Sequence, residues 1–552
     1  MDMKRPKMVL FGFLITLALI VFTFGGRRSS LPATPSSYSS PSSIPMVGGH
    51  HVVPGAGAGN ETLKKTVIRP NNVSAPATTL SQDKFLGGLL SAEFQESTCQ
   101  SRYASSMFRK PSPLLLSAYL VEKLRKYEAY HKKCGLGTQR YQTAVAQLQS
   151  GRNDDSSECK YVVWFPCNGL GNRMLTIAST FLYALLISSR VMLVNVPHEQ
   201  EGLFCEPFPG TSWVLPGEFP ERNPMNFNAG APESYVNMLK NNVIRHDTPA
   251  SFLPAHVYLH VEQTGLRLSD NIFCDDDQRL LGKFGWMILK SDSYFVPALF
   301  LTPMYDKELA RMFPQKEAVF HHLGRYLFHP TNRVWGIVRR YYEAYLARVD
   351  EKIGFQIRIF PEKPVKFENM YDQLTRCIKE QRLLPELGKA EPAANATGDG
   401  IVKAVLITSL YSGYYEKMRS LYYENPTKTG EIVAVYQPSH EEKQEYASNE
   451  HNQKALAEIY LLSYCDKIAM SAWSTFGYAA YGFAGLKPWI LLRPDWDKEI
   501  SQVACVRSTS VEPCLHSPPI LRCRATEVDV ARVKPYVRHC EDVGFGLKLF
   551  DS

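Results

Sequence analysis

Three short segments combine residue types that bind phosphorylated ligands, and each follows or interrupts an apolar run. In Gly169-Leu-Gly-Asn-Arg173 the glycines let the backbone approach a ligand closely, and the amides at a helix start favour an anion. Arg358 lies within an apolar run, where a guanidinium must reach a cleft or be paired because burying an unpaired charge is prohibitive. In Ser471-Ala-Trp-Ser-Thr-Phe-Gly477, hydroxyls and free amides open a helix and can cradle a phosphate.

Each segment also has a purely structural explanation. The first can be a tight strand–helix turn with an exposed Arg173, and Arg358 can belong to an internal ion pair. Ser474 or Thr475 can be an ordinary helix N-cap. The three segments together, on strand ends of two domains, favour a nucleotide-diphosphate ligand.

Alternating strands and helices must position these segments. Tyr161–Phe165 predicts a buried strand, apolar residues from Asn172 recur at helical spacing, and Val191–Val196 predicts a second strand. In the second half we predict strands at Ile353–Phe360, Ala404–Thr408, Glu431–Tyr436, Lys467–Ser471 and Trp489–Leu492, and helices near Gly413–Leu421, Gln444–Ser463 and Thr475–Ala484. These two blocks predict an α/β fold of two doubly wound domains facing one cleft, with ligands outside the carboxyl ends of the strands.

Two acidic motifs offer metal chemistry instead. Asp275-Asp-Asp277 and Asp495-Trp-Asp497 both contain D-x-D, and hard oxygen ligands suit Mn²⁺ or Mg²⁺. However, acids are common in the first turn of a helix, and the first motif precedes a helix predicted at Gln278–Leu281. The second motif follows Pro494 in a predicted loop. We therefore expect no metal site at either motif.

Two further catalytic motifs receive no support. His321, His322 and His329 suggest zinc, but apolar residues flank them and no cysteine lies at metal-like spacing, so packing or substrate contact is favoured. The G-x-S-x-G elbow of α/β-hydrolases does not occur in the sequence.

The amino-terminal residues predict a membrane anchor. The run Met8–Phe24 is apolar and uncharged, and basic residues flank it on both sides. We predict a cytoplasmic tail at residues 1–7, a transmembrane signal-anchor at 8–24 and a flexible lumenal stem at 25–80, because the stem is rich in Ser, Pro, Gly and Ala. A cleaved signal peptide is the alternative, but no small-residue cleavage site follows the run.

Charge and cysteine content agree with that placement. Most of the net charge of +8 lies in residues 1–80, so the folded part lacks the positive charge of a nucleic-acid binder. The sequons at Asn60, Asn72 and Asn395 can be glycosylated in a lumen. All twelve cysteines follow the anchor without a C-x-x-C pair, which favours disulfides. Cys505, Cys514, Cys523 and Cys540 are expected to staple the carboxy-terminal region, with partners left open.

Longer blocks carry a family resemblance. They are GLGNR (169–173), HHLGRYLFHPTNRVWG (321–336), GFQIRIF (354–360), SLYSGYYEKM (409–418), SAWSTFGYAAYGFAGLKPWIL (471–491) and CEDVGFGLKL (540–549). The chain from about Cys99 onward resembles the plant xyloglucan fucosyltransferases, also described as galactoside 2-α-L-fucosyltransferases, of glycosyltransferase family 37. Gly544-Phe545 departs from the family, in which a Ser-Trp pair is usual.

The resemblance implies a GT-B-like fold, GDP-β-L-fucose as donor, inversion at the anomeric carbon, no metal or cofactor, and a Golgi location. It implies that Arg358 clamps the diphosphate and that Asp292 lies beside the acceptor hydroxyl, as a base or by orienting it. The catalytic residues are then Asp292 and Arg358. The donor-binding residues are Asn172, Arg173, Arg358, Ser471, Ser474, Thr475, Phe476, Gly477 and Asp542.

We therefore expect a single-pass Golgi membrane enzyme that transfers L-fucose to the 2-hydroxyl of a terminal β-galactose on a plant cell-wall glycan. Xyloglucan and arabinogalactan-protein glycans both remain open as acceptors, and a homodimer is compatible with the sequence. Residues 81–335 are expected to form the acceptor-side domain and residues 336–552 the GDP-fucose-binding domain with a carboxy-terminal return. The alternatives are a non-catalytic lumenal glycan- or nucleotide-binding protein and a protein O-fucosyltransferase.

Overall fold

The computed structural model describes residues 83–154, 156–261, 272–361, 364–388, 400–494, 499–519 and 534–551. Within them the chain is an α/β protein with two largely parallel sheets, which confirms the predicted fold class at that level. The strands are β1 (Tyr161–Phe165), β2 (Val191–Val194), β3 (His256–Val261), β4 (Trp286–Ser291), β5 (Glu351–Ile357), β6 (Val402–Ser409), β7 (Ile432–Tyr436), β8 (Lys467–Ser471), β9 (Trp489–Leu491), β10 (Val506–Arg507), β11 (Val537–His539) and β12 (Leu547–Leu549).

The α-helices surround these sheets. They are α1 (Gln100–Ala104), α2 (Ala118–Cys134), α3 (Gln139–Gln149), α4 (Leu170–Leu186), α5 (Tyr235–Lys240), α6 (Asp275–Leu281), α7 (Val296–Phe300), α8 (Asp306–Met312), α9 (Val319–Leu327), α10 (Asn332–Tyr341), α11 (Phe367–Glu380), α12 (Gly413–Glu424), α13 (Asn449–Leu462) and α14 (Thr475–Ala484). The predicted boundary between residues 335 and 336 lies within α10, and the division into two domains stays a prediction.

The first sheet has the order β2-β1-β4-β3, and its strands are parallel. Every residue of β1 and β2 is buried, because helices cover both faces and the strands are continuous apolar runs. Strand β1 leads through α4 to β2 on one side and pairs with β4 on the other. The order of the strands therefore reverses between β1 and β4.

The second sheet has the order β10-β9-β8-β5-β6-β7, with only the β10–β9 pair antiparallel. Its five parallel strands run 3-2-1-4-5 in chain order, as in a doubly wound nucleotide-binding fold. The order reverses between β5 and β8. Strands β11 and β12 form a separate antiparallel pair near the end of the described chain.

The predicted elements are largely found, with shifted bounds. Strand β2 ends at Val194 rather than Val196, and β5 ends at Ile357, where its pairing with β6 ends. Helix α13 begins at Asn449, because the Ser448 side chain caps it by accepting from the backbone N–H of His451.

Disulfides tie the fold together, as the cysteine content predicts. Four bridges have both cysteines among the described residues, and they are Cys99–Cys205, Cys134–Cys159, Cys377–Cys505 and Cys514–Cys540. Of the predicted carboxy-terminal group, Cys514 and Cys540 pair with each other, whereas Cys505 reaches back to helix α11 and Cys523 lies outside the described residues. Cys465 is a buried thiol, so not every cysteine forms a disulfide.

Several predictions fall on residues that the structure does not describe. They are the cytoplasmic tail, the signal-anchor, the stem, the sequons at Asn60, Asn72 and Asn395, and the motif Asp495–Asp497. Across the described ranges, none of the helices combines the length and the apolar character that a membrane crossing needs.

Candidate active site

Both strand-order reversals open into one cleft. The loops after β1 and β4 meet the loops after β5 and β8 around a cavity of about 550 Å³. In a doubly wound sheet, a reversal leaves a crevice at the carboxyl ends of the strands, because the flanking connections diverge to opposite faces. The three segments singled out in the sequence all contribute to this cleft. They are separated by more than a hundred residues along the chain and are brought together by the two sheets.

Arg358 follows β5 directly and lines the cleft. Its backbone N–H donates to the Ser471 hydroxyl across 2.9 Å, so Ser471 joins the ends of β5 and β8 and is itself buried. The guanidinium donates to the amide oxygen of Gln444 at 3.1 Å. Gln444 is neutral, and no carboxylate among the described residues forms an ion pair with Arg358, whose side chain lines the cleft.

The segment after β8 forms the start of helix α14. Ser474 is the N-cap, its hydroxyl accepts from the Gly477 N–H at 3.5 Å, and Ser474, Thr475 and Phe476 line the cleft. Ser474 therefore caps the helix and lines the cleft at the same time. Gly477 lies behind the turn, where an added Cβ would be 2.8 Å from the Met470 side chain.

Asp542 supports this turn from outside the cleft lining. Its carboxylate accepts from the Trp473 backbone N–H at 2.9 Å and from the Tyr478 hydroxyl at 2.5 Å, and its carbonyl accepts from the Trp473 indole at 2.6 Å. Trp473 has φ of 66°, a left-handed conformation that is unfavourable for a bulky residue. These three hydrogen bonds hold that conformation. The structure places Asp542 as a support of the turn that carries Ser474.

Asp292 lies on the opposite wall, immediately after β4. One carboxylate oxygen accepts from the Asn168 amide at 3.3 Å and the other from the Ser293 hydroxyl at 3.0 Å. Asn172 donates to the Asp292 carbonyl at 3.0 Å and accepts from the Thr475 hydroxyl at 2.9 Å. One asparagine thus links the Asp292 wall to the start of α14.

Arg173 lines the cleft but is already paired. Its guanidinium lies 3.1 Å from Glu199 in an ion pair with both side chains mostly buried, and its Nε donates to the Asn168 carbonyl at 2.8 Å. The structure brings Arg173 to the cleft, as expected, with its charge compensated by Glu199. We assign it to shaping the loop that carries Asn168.

Other residues at the cleft were not identified from the sequence. Glu458 of α13 lines it and accepts from the Ser439 hydroxyl, and burial raises the pKa of this carboxyl to about 8. Arg493 follows β9, and His516 contacts the Tyr478 hydroxyl at 3.0 Å. Arg493 carries the same signal as Arg358, an arginine at the end of an apolar strand. Glu458 lies in the mostly apolar second half of α13 and shows no local pattern that marks a site.

The competing motifs have structural roles where they are described. Asp277 accepts from the Tyr235 hydroxyl at 2.6 Å and contacts His246 at 3.0 Å, and Asp275 accepts from the Met304 N–H at 3.1 Å. The three histidines are buried and hydrogen-bonded to backbone carbonyls. They are His321, His322 and His329. Burial lowers the pKa of each, to about 4 for His322, so they pack as neutral rings.

Comparison with known proteins identifies relatives over most of the chain. The sequence model of the family described as xyloglucan fucosyltransferase matches residues 60–524. The galactoside 2-alpha-L-fucosyltransferase of Arabidopsis thaliana is 50% identical over 474 residues, covering 86% of this chain and 84% of that protein. The enzyme of the same name from Pisum sativum is 48% identical over 475 residues, covering 86% of this chain and 83% of that protein.

A solved structure is also similar. It is a mutant of Arabidopsis thaliana FUT1 in complex with GDP, with 50% identity and a TM-score of 0.78. The match covers 85% of this chain and all of the solved chain. The similarity therefore extends through both sheets and the cleft between their strand ends.

Proposed function

Because this chain belongs to the xyloglucan fucosyltransferase family of glycosyltransferases, we propose that its cleft binds GDP-β-L-fucose and transfers L-fucose, with inversion, to the 2-hydroxyl of a terminal β-galactose. The acceptor is a plant cell-wall glycan, either xyloglucan or an arabinogalactan-protein glycan. The observation that carries the proposal is the convergence of Arg358 and residues 474–476 on one cleft, with Asp292 on its other wall.

The second sheet is the donor side. The carboxyl ends of β5 and β8 form its crevice, where a doubly wound sheet binds a nucleotide. Arg358 contacts the diphosphate with its guanidinium, and the backbone amides at the start of α14 add partial positive charge. As the bond between fucose C1 and the phosphate oxygen breaks, its electron pair stays on departing GDP. Groups placed for that growing negative charge stabilise the transition state more than the bound substrate.

The first sheet is the acceptor side. The galactose hydroxyl attacks C1 from the face opposite the phosphate, forms the new C–O bond and releases its proton. The Asp292 carboxylate lies across the cleft from Ser474–Phe476 and is oriented by Asn168 and Ser293, so it can accept or orient that proton. Attack from the opposite face gives inversion in a single displacement.

The cellular setting extends the same proposal. A signal-anchor at residues 8–24 and a stem at 25–80 hold the enzyme in the Golgi membrane with the cleft in the lumen. Two doubly wound domains in a GT-B arrangement form the catalytic part. The proposal includes no metal, because Arg358 and the helix amides supply the positive charge that a cation would otherwise provide.

A transfer assay tests this function. The full-length protein is incubated with labelled GDP-fucose and a panel of galactosylated xyloglucan, arabinogalactan and peptide acceptors, with a chelator present. We expect label on β-galactosides and an α-1,2 linkage in the product. The Arg358→Gln variant should lose activity by about 10²–10³-fold, the usual effect of removing one charge-stabilising donor. Binding of GDP without transfer to any galactoside would contradict the proposal and favour a non-catalytic binding protein.

A further inference from the structure

Strand β7 lies at one edge of the second sheet, next to β6. The backbone N–H of Ile432 donates to the Ile401 carbonyl at 2.9 Å, on the side of β6. Because alternate residues of a strand direct their backbone groups to opposite sides, the N–H and C=O groups of Val433 and Val435 point away from β6. Within the described ranges, no hydrogen bond reaches these four outward groups. The edge therefore offers two donors and two acceptors to another strand.

The two edges of the first sheet are covered instead. At one edge the Val194 N–H of β2 donates to the Trp213 carbonyl at 2.7 Å, and at the other the Tyr258 N–H of β3 donates to the Glu233 carbonyl at 2.9 Å. Proteins also blunt exposed edges with charged residues, proline or bulges. Strand β7 reads Ile-Val-Ala-Val-Tyr, without charge or proline, and pairs with β6 in unbroken register. The described surroundings of β7 thus show none of the usual protection against strand pairing.

Apolar side chains surround this edge. Ile432 is 57% exposed and Tyr345 is 45% exposed, and the centres of the Tyr345 and Tyr436 rings are 5.1 Å apart. Tyr423, in the last turn of α12, is 87% exposed, and α12 packs against β7. Exposed apolar residues that cluster mark protein interaction surfaces. The edge and its flanks therefore have the composition of an interface.

We propose that β7 joins two copies of this chain, by antiparallel pairing about a twofold axis at Ala434. The axis places Val433 of each copy opposite Val435 of the other, so that their outward groups form four hydrogen bonds. On the other face of the strand, Ile432 meets Tyr436 of the second copy as an apolar cross-strand pair. A second copy is the fitting occupant because both patterns are symmetric about Ala434, as a twofold interface requires. No charged side chain lies in the paired segment, so no like charges oppose each other.

The alternatives are that water solvates the edge and that a different segment or protein covers it. Val433→Pro tests them, because proline removes one outward N–H and leaves the bonds between β7 and β6 in place. The full-length protein is solubilised in detergent, and its mass is measured by analytical ultracentrifugation over a dilution series. We expect a dimer for wild type and a monomer for Val433→Pro. Transfer activity should change less than about twofold, because residues 432–436 lie outside the cleft lining.

Engineered cysteines locate the axis even if Val433→Pro fails to fold. Directly opposite residues of a non-hydrogen-bonded antiparallel pair have Cα atoms about 4.5 Å apart, within the range of a disulfide. Ala434→Cys should therefore cross-link two copies under mild oxidation. Ile432→Cys is the matched control, because residue 432 is the more exposed of the two. In this pairing its Cα lies about 13 Å from that of its equivalent, four residues along the strand, which is too far for a disulfide.

The combined results decide the assignment. Cross-linking of Ala434→Cys alone, together with a monomeric Val433→Pro, is the result that we expect. A wild-type protein that is monomeric across the dilution series would overturn the inference in favour of a solvated or otherwise covered edge. A dimer that persists in Val433→Pro, with Ala434→Cys not cross-linked, would overturn it in favour of a different interface. Cross-linking of Ile432→Cys without that of Ala434→Cys would overturn the axis at Ala434.

Discussion

Gly171 packs directly against the backbone at the start of α14, on the other wall of the cleft. An added Cβ would lie 2.6 Å from the backbone nitrogen of Phe476 and 2.6 Å from the carbonyl carbon of Thr475. Backbone atoms of a helix start cannot move aside as a flexible side chain can. A glycine is therefore needed here for close approach, and the contact brings the Asn172 amide within reach of the Thr475 hydroxyl.

We expect Gly171→Ala to destabilise the protein by about 1–3 kcal/mol, the usual cost of forcing an extra methyl group into a packed site. It should also reduce transfer activity, because the helix start of α14 must shift. Gly169→Ala is the matched control, since a Cβ at residue 169 meets no atom within 4 Å. Thermal unfolding measures the stability of the two variants, and the transfer assay measures their activity. Equal melting temperatures for the two variants would show that the contact is not tight in solution.

At the scale of single residues, local sequence signals identified only part of the site. Arg358 and the hydroxyls of residues 474–475 were recognisable because charge or hydroxyl groups stood out against apolar strands. Arg493 carried the same signal after β9, and its relevance depended on β9 lying next to β8. Glu458 offered no signal, because its place at the cleft depends on how α13 packs against the ends of other elements.

At the scale of elements, the turn between β8 and α14 depends on a distant segment. Trp473 adopts a left-handed backbone conformation, which costs an unsupported residue of this kind about 1–3 kcal/mol. Asp542 bonds both its backbone and its indole nitrogen. The Cys514–Cys540 bridge lies two residues from Asp542 and fixes the supporting segment.

We expect Asp542→Ala to reduce kcat/KM for GDP-fucose about 10- to 100-fold, because the turn loses two hydrogen bonds to the Asp542 side chain. Asp542→Asn retains an acceptor oxygen and should lose less. Tyr478→Phe removes one of the two carboxylate contacts while leaving the Trp473 backbone bond, so its effect should be the smallest. Steady-state kinetics with varied donor distinguishes them. An Asp542→Ala enzyme with normal donor kinetics would contradict a supporting role.

Strands and helices were predicted correctly where a continuous or periodic run of apolar residues marks them in the sequence. The βαβ unit of β1, α4 and β2 and the strands of the second sheet were found from continuous apolar runs. Strand β4 was not predicted, although Trp286–Leu289 is such a run and lies between Gly285 and the polar residues 291–293. Strand β4 pairs with β1 on one side and with β3 on the other. This strand order is set by tertiary packing and cannot be read from a local sequence pattern.

At the scale of the whole molecule, a buried acid joins three regions of the core. Glu512 accepts from the Tyr294 hydroxyl at 2.6 Å and from the Phe320 backbone N–H at 2.7 Å, and its carbonyl accepts from Tyr481. It is fully buried, and desolvation raises the pKa of its carboxyl from 4.5 to about 8. The native protein therefore holds a proton here that the unfolded chain loses above its ordinary pKa.

This proton gives the stability a predictable pH dependence. Since the native state binds more protons than the unfolded state between pH 4.5 and about 8, the free energy of unfolding falls as the pH rises through that window. The contribution of Glu512 is fully present below pH 4.5 and is lost above about pH 8. Glu512→Gln keeps an oxygen that accepts from the Phe320 N–H and has no group that titrates in this range, so it should flatten this part of the profile.

Melting temperatures measured across that range test the effect. The wild-type melting temperature should fall more steeply with pH than that of Glu512→Gln. Glu343→Gln changes a half-exposed glutamate paired with Arg339 and should follow the wild-type curve. Identical slopes for wild type and Glu512→Gln would show that the carboxyl ionises normally in the folded protein.

The overall arrangement was predictable in kind and not in detail. The alternation of strands and helices in the sequence indicated doubly wound sheets. In such sheets ligands bind at the carboxyl ends of the strands where the strand order reverses, so the location of the cleft was predictable. The actual cleft depends on which strands are neighbours and on contacts such as Asn172 to Thr475, which join residues 303 positions apart. Those contacts are set by packing of the complete core, so they become visible only in three dimensions.

The support of Trp473 by Asp542 also has a consequence for biosynthesis. The two residues are 69 positions apart, so the donor turn leaves the ribosome well before its support does. Asp542 can hold the tryptophan only after its own segment, which the Cys514–Cys540 bridge ties to residue 514, has folded against the turn. We therefore expect that reduction of this one cysteine pair weakens the support of the turn and with it the binding of the nucleotide sugar.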